Sequence, residues 1–141
     1  GGRFGVGSDS NVLIGLPDEL RQLEYSQRLA HRARNVLARA GQSNGRALFD
    51  AALEGGAAAL GAGPSRLEAG AAADLVALDA DHPSLAGKRG DAILDAWIFA
   101  AGTSVDCAWV AGRKLVAGGR HIRRDAIAAR FRAVMRELSS Q

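Results

Sequence analysis

The chain has 141 residues, 48% of them hydrophobic and only 5% aromatic. That length suits one domain with a modest core, and Ala, Leu and Val must fill most of it. The net charge is +3, with arginines mixed among Glu and Asp, which reads as a solvated surface and argues against a nucleic-acid partner. Cys107 is the single cysteine, so neither an internal disulfide framework nor a Cys-based zinc site is expected, which fits a cytoplasmic location. No apolar run approaches the roughly 20 residues that span a bilayer, and the first residues do not read as a signal peptide.

Met135 is the only methionine, and the opening Gly1-Gly2-Arg3-Phe4-Gly5-Val6-Gly7 reads as the start of a buried strand rather than a natural terminus. The chain is therefore expected to be a fragment whose core is completed by other sequence. The strand is predicted over Arg3–Gly7, followed by a polar cluster, Ser8 to Asn11. Pro17 opens a helix, since a proline in the first turn removes an N–H that has no partner there. Asp18 and Glu19 suit the positive end of its dipole. Leu20, Leu23 and Leu29 follow, and the helix is expected to stop near Asn35 or a few residues later, before Gly41.

A second helix fits Asn44 to Leu60, capped by Ser43 or Asn44 and ended by Gly61, Gly63 and Pro64. Gly55-Gly56 weakens its middle by about 1 kcal/mol per glycine, but allows close packing against a neighbour. Asp74 to Asp79 reads as a strand and Asp91 to Ala100 as a short helix. Val105–Val110 and Lys114–Val116 read as strands joined through Gly112-Arg113, a hairpin signal. The final stretch, Arg124 to Leu138, is an amphipathic helix. Its stripe of Ile127, Phe131, Val134, Met135 and Leu138 is expected to dock on the protein's own body. The boundary between barrel-like α/β sequence and a small β-rich unit falls between Gly61 and Leu67.

Asp9 is the leading candidate for chemistry. A carboxylate after a glycine-bounded strand can ligate a metal and move protons; the same residue can equally cap a turn. The glycines of Gly1–Gly7 match neither a P-loop nor a dinucleotide fingerprint. His31, His82 and His121 form no His-x-His or His-Glu-x-x-His pair and read as structural or surface residues. Cys107, Trp97 and Trp109 read as packing residues.

Leu67-Glu68-Ala69-Gly70-Ala71-Ala72-Ala73-Asp74-Leu75-Val76-Ala77-Leu78-Asp79 resembles the G-x-x-A-D-L-V-x-L-D segment of the amidohydrolase superfamily. Gly7-Ser8-Asp9-Ser10 resembles the end of that superfamily's eighth barrel strand. Four further stretches are similar to formimidoylglutamate deiminases: Asp18 to Leu29, Gly45 to Leu53, Gly90 to Ala100, and Val110 to Arg113. The resemblance implies an α/β fold: residues 1–62 as the last strand and helices of a (β/α)8 TIM barrel, and residues 63–141 as part of a small composite β-sandwich domain with a C-terminal helix. It further implies hydrolytic deimination of a small molecule, N-formimidoyl-L-glutamate, in histidine degradation. Asp9 is then the one catalytic residue and a ligand of one divalent metal, zinc, whose other ligands lie outside this chain. A homodimer is implied, and the 141 residues alone are expected to be inactive. Ser8 and Ser10 are expected to orient Asp9 through hydrogen bonds. Two alternatives are another aminohydrolase of the same superfamily and a metal-free binding or assembly module.

Overall fold

A computed structural model describes residues 2–10, 12–63, 66–100 and 102–140. Asn11, at the end of the polar cluster, and Pro64, expected to help end the second helix, lie outside the described residues. The elements run α1 (Leu16–His31), α2 (Asn44–Leu60), β1 (Leu75–Leu78), α3 (Asp91–Phe99), β2 (Val105–Val110), β3 (Arg113–Ala117), β4 (Arg120–His121) and α4 (Arg124–Ser139), with a single 3-10 turn at Pro83–Leu85. The fold is mixed α/β with an antiparallel sheet. Contacts divide it into two compact units: Gly1–Ala72 with Asp79–Ser104, and Ala73–Leu78 with Val105–Gln141. Among the described residues no helix is long and apolar enough to cross a membrane.

The first unit is three helices around a small core of Leu20, Leu48, Ala52, Leu85, Ala96, Trp97 and Ile98. Pro17 lies in the first turn of α1, as expected, but the helix ends at His31, earlier than expected. Arg32 takes a left-handed conformation (φ 50°) and closes the helix by donating its N–H to the Arg28 carbonyl. The reason lies one turn back. The Glu24 side chain is fully buried and accepts hydrogen bonds from Arg28 Nε (2.7 Å), Val36 N (3.0 Å) and Leu37 N (3.1 Å). It draws the chain back beside the helix it has just left. Burial alone would push this carboxyl up. The Arg28 guanidinium, the nearby Asn44 amide and the two backbone N–H groups outweigh burial and hold it below its usual range. Asn44 is itself buried, with no hydrogen-bond partner for Oδ1 or Nδ2 among the described residues.

Arg28 also joins α1 to α3. Its guanidinium lies 5.2 Å from the Tyr25 ring centroid and 5.3 Å from that of Phe99, and the two rings stack at 6.0 Å. Ser43 caps α2 as expected, accepting from Arg46 N. Asp95 of α3 adds a second acceptor there, taking hydrogen bonds from Ser43 Oγ (3.0 Å) and Gly45 N (2.7 Å). The helices are so close that a β-carbon at Gly45 would come within 2.7 Å of the Asp95 nitrogen. Phe49 meets Trp97 edge to face at 6.0 Å. Asp91 and Asp50 flank Arg46 and raise its already high pKa.

Arg3–Gly7, expected as a strand, forms no ladder with any described residue. A strand needs a neighbouring backbone to pair with, and the sheet strands of this chain pair among themselves. The segment instead lies across the middle of α2: a β-carbon on Gly55 would overlap the Phe4 carbonyl group. The close packing expected of Gly55-Gly56 is thus made, against the segment leading to Asp9.

The second unit is a four-stranded antiparallel sheet in the order β1-β2-β3-β4. Leu75 faces Trp109 and Ala77 faces Cys107, with an irregularity before Leu78. The β2–β3 loop is Ala111-Gly112, one residue earlier than expected, with both residues at positive φ (48° and 74°), as the tight hairpin turns matching strand twist require. Asp74 secures the turn by accepting from Ala111 N at 2.7 Å. Sequence reading missed β4, a two-residue strand returning through Gly118-Gly119, also both at positive φ. Trp109 carries Lys114 over its ring at 4.6 Å. The apolar stripe of α4, expected to dock, is exposed: Phe131 is 63% accessible and α4 has no buried residue.

Glu24→Gln offers one oxygen and one NH₂ where three donors converge, so the Val36 and Leu37 amides should lose about 1–3 kcal/mol of protection, read by hydrogen exchange. Because the folded-state pKa of Glu24 lies below the usual 4.5, its contribution is complete above that pH and is lost as pH falls through the folded value. The protection factors of these amides should show that acid loss in the parent and not in Glu24→Gln. Gly45→Ala should destabilise the α2–α3 contact by about 1–3 kcal/mol through overpacking, measured as a lowered thermal midpoint.

Candidate functional site

Asp9 stands in a turn between the segment seated on α2 and the start of α1. Its φ of 43° is left-handed, a conformation that Asp and Asn tolerate better than most residues. The side chain is exposed. On the near side Gly5 lies against Gly56, where a β-carbon would stand 3.2 Å from the Gly56 Cα. On the far side Gly15 begins α1, its carbonyl accepting from Asp18 N and Glu19 N at 3.1 Å each. Asp9 is thus held between two anchors while its carboxylate makes no hydrogen bond or ion pair with a described residue. Neither Ser8 nor Ser10 forms the expected orienting hydrogen bond to it. Ser8 is half-buried and Ser10 exposed.

An uncommitted carboxylate is a suitable hard-oxygen ligand for a divalent cation. One carboxylate is not a site: among the described residues no group of three or more His, Cys, Asp or Glu side chains converges to hold a metal. The histidines are elsewhere, and two have local tasks. His82 Nδ1 accepts from Ser84 N at 3.2 Å at the start of the 3-10 turn. His121 Nδ1 accepts from Arg123 N at 3.1 Å before α4. His31 is exposed at the end of α1. Cys107 is half-buried, 3.2 Å from Asp106 Oδ2 and 3.7 Å from Lys114 Nζ. An open depression of about 820 Å³ along α2, lined in part by Arg3, Glu54 and Arg66, does not include Asp9.

The buried polar group that residue patterns did not single out is Glu24. The available signal was its place in the helical pattern, four residues after the buried Leu20 and four before Arg28, where a carboxylate on the inner face demands partners. Asp95 carried a weaker signal, since nothing local shows that it caps another helix about 50 residues earlier.

Fold and sequence now meet known proteins. In structure, the chain is similar to a crystal structure of an amidohydrolase from Brucella melitensis, at a TM-score of 0.89 and 55% identity over 97% of this chain and 30% of that one. That neighbour is an amidohydrolase, of which this chain covers less than a third. In sequence, the chain is similar to the formimidoylglutamate deiminase of Pseudomonas aeruginosa, 49% identical over 140 residues, 98% of this chain. The chain spans 31% of that relative's length. No protein-family model matches it.

Proposed function

We propose that this chain supplies the aspartate ligand of a metal-dependent amidohydrolase, and that the whole enzyme hydrolyses N-formimidoyl-L-glutamate to N-formyl-L-glutamate and ammonia. The observation that carries this reading is the 49% identity to formimidoylglutamate deiminase across 98% of the chain. The place of the exposed Asp9 carboxylate, in a turn after a glycine-bounded segment, supports it. Residues 1–62 are then the end of a (β/α)8 barrel, with Asp9 after its last strand, the end of the barrel that carries chemistry. Residues 63–141 are part of a composite β-sandwich domain with its C-terminal helix. The whole protein acts as a cytoplasmic homodimer.

Asp9 would hold a single divalent metal, zinc, together with histidines outside this chain. When bound, that ion lowers the pKa of a water toward 7. The proton movements belong to Asp9. Its carboxylate accepts a proton from the water that adds to the formimino carbon. The protonated carboxyl gives that proton to the formimino nitrogen, and the carboxylate then carries the added hydroxyl's proton to the same nitrogen as the carbon–nitrogen bond breaks. Ammonia leaves and the formyl carbonyl remains, so one water is consumed for each ammonia released. One carboxylate can serve both transfers when it lies within about 3 Å of the reacting atoms.

The test is ammonia release from N-formimidoyl-L-glutamate by the full-length gene product, with and without a chelator. Asp9→Asn should lower turnover by about 10²–10⁴-fold without unfolding the protein, and chelation should abolish it. Parent-like turnover in Asp9→Asn would sink the reading. Zinc titrated into the 141-residue chain alone should find no tight stoichiometric site, because such sites take about three protein ligands; a tight site there would show that the ligand set was misjudged.

A further inference from the structure

The two adjacent glycines of α2 are not equivalent. A β-carbon on Gly56 would meet nothing within 4 Å, whereas one on Gly55 would overlap the Phe4 carbonyl and stand 2.9 Å from the Phe4 nitrogen. The contact is with backbone on both sides, so no side-chain rotation relieves it. Between Phe4 and Asp9 lie only four residues, and beyond Asp9 the chain is soon committed to α1. A change at the seat therefore passes to Asp9 with little slack.

We infer that Gly55 is a positioning residue for Asp9: its missing side chain sets how deeply the Phe4–Gly5 backbone sits on α2, and so where the Asp9 carboxylate stands. The inference rests on Asp9 being the metal ligand. Ligand distances in a metal site are held to within about 0.2 Å, and an added methyl displaces the seat by more than that. Gly5 is the intermediate case: its β-carbon would stand 3.2 Å from the Gly56 Cα and 3.3 Å from the Gly56 nitrogen, a shift of tenths of an ångström.

The experiment compares Gly56→Ala, Gly5→Ala, Gly55→Ala and Asp9→Asn in the full-length gene product. Zinc affinity is measured by competition with a chromogenic chelator, the visible spectrum with Co(II) in place of zinc, and steady-state kinetics with N-formimidoyl-L-glutamate. Gly56→Ala should match the parent in all three. Gly5→Ala and Gly55→Ala should weaken zinc binding by about tenfold or more, more strongly for Gly55→Ala, shift the Co(II) bands, and lower kcat with little change in KM. If Gly55→Ala yields no folded protein, Gly5→Ala decides. Folded Gly5→Ala or Gly55→Ala protein with parent-like zinc affinity and Co(II) spectrum would overturn the inference, provided Asp9→Asn loses zinc. If Asp9→Asn also keeps parent-like zinc affinity, the ligand assignment itself has failed and the inference falls with it.

Discussion

The Glu24 carboxylate is the charge around which the helical unit is arranged. A buried carboxylate is costly unless its oxygens are filled, and here Oε1 accepts from Arg28 and the Val36 amide while Oε2 accepts from the Leu37 amide. Two of those donors belong to the chain after α1. Satisfying Glu24 therefore ends α1 and folds the connection back, which delivers Asn44 and the start of α2 to the same buried spot. With α2 placed, Gly55 and Gly56 offer a flat backbone surface, and the Phe4–Gly5 segment settles on it. Asp9 inherits its position from this sequence of contacts, although it touches none of the groups that begin it.

The contact of α2 with α3 follows a similar logic. Side chains are excluded where the backbones approach, at Gly45, and a carboxylate is supplied where N–H groups would otherwise be left over, at Asp95. Trp97 and Phe49 supply the apolar area. Few aromatics serve this chain, and four of those in the helical unit sit where helices meet: Tyr25 and Phe99 between α1 and α3 under Arg28, and Trp97 with Phe49 between α2 and α3.

Elements with local signals were legible. Ser43 and Gly61 bracket α2 at Asn44–Leu60, and the stretch from Val105 to Val110 ahead of the Gly112 hairpin signal is β2 as expected. Where the deciding partner is distant in sequence, legibility failed. The end of α1 depends on a carboxylate and two amides 12 and 13 residues apart. The state of Arg3–Gly7 depends on which backbone lies beside it. β4 was missed although Gly118-Gly119 is itself a hairpin signal; two residues are too few for a pattern to register. The candidate site came from resemblance as the single residue Asp9 and not as a geometry, because local physics left Asp9 equally suited to a turn.

The sequence by itself determined the helices and strands whose caps, turns and periodicity are local, and through resemblance its motifs singled out Asp9 as a candidate. Only the tertiary structure decided that Glu24 is buried and filled, that Gly55 is barred from carrying a side chain while Gly56 is not, and that the Asp9 carboxylate is uncommitted among the described residues. The division has a physical reason. Propensity and capping act within a few residues, whereas the meaning of a buried charge or a missing β-carbon is set by whatever the fold brings within 4 Å of it.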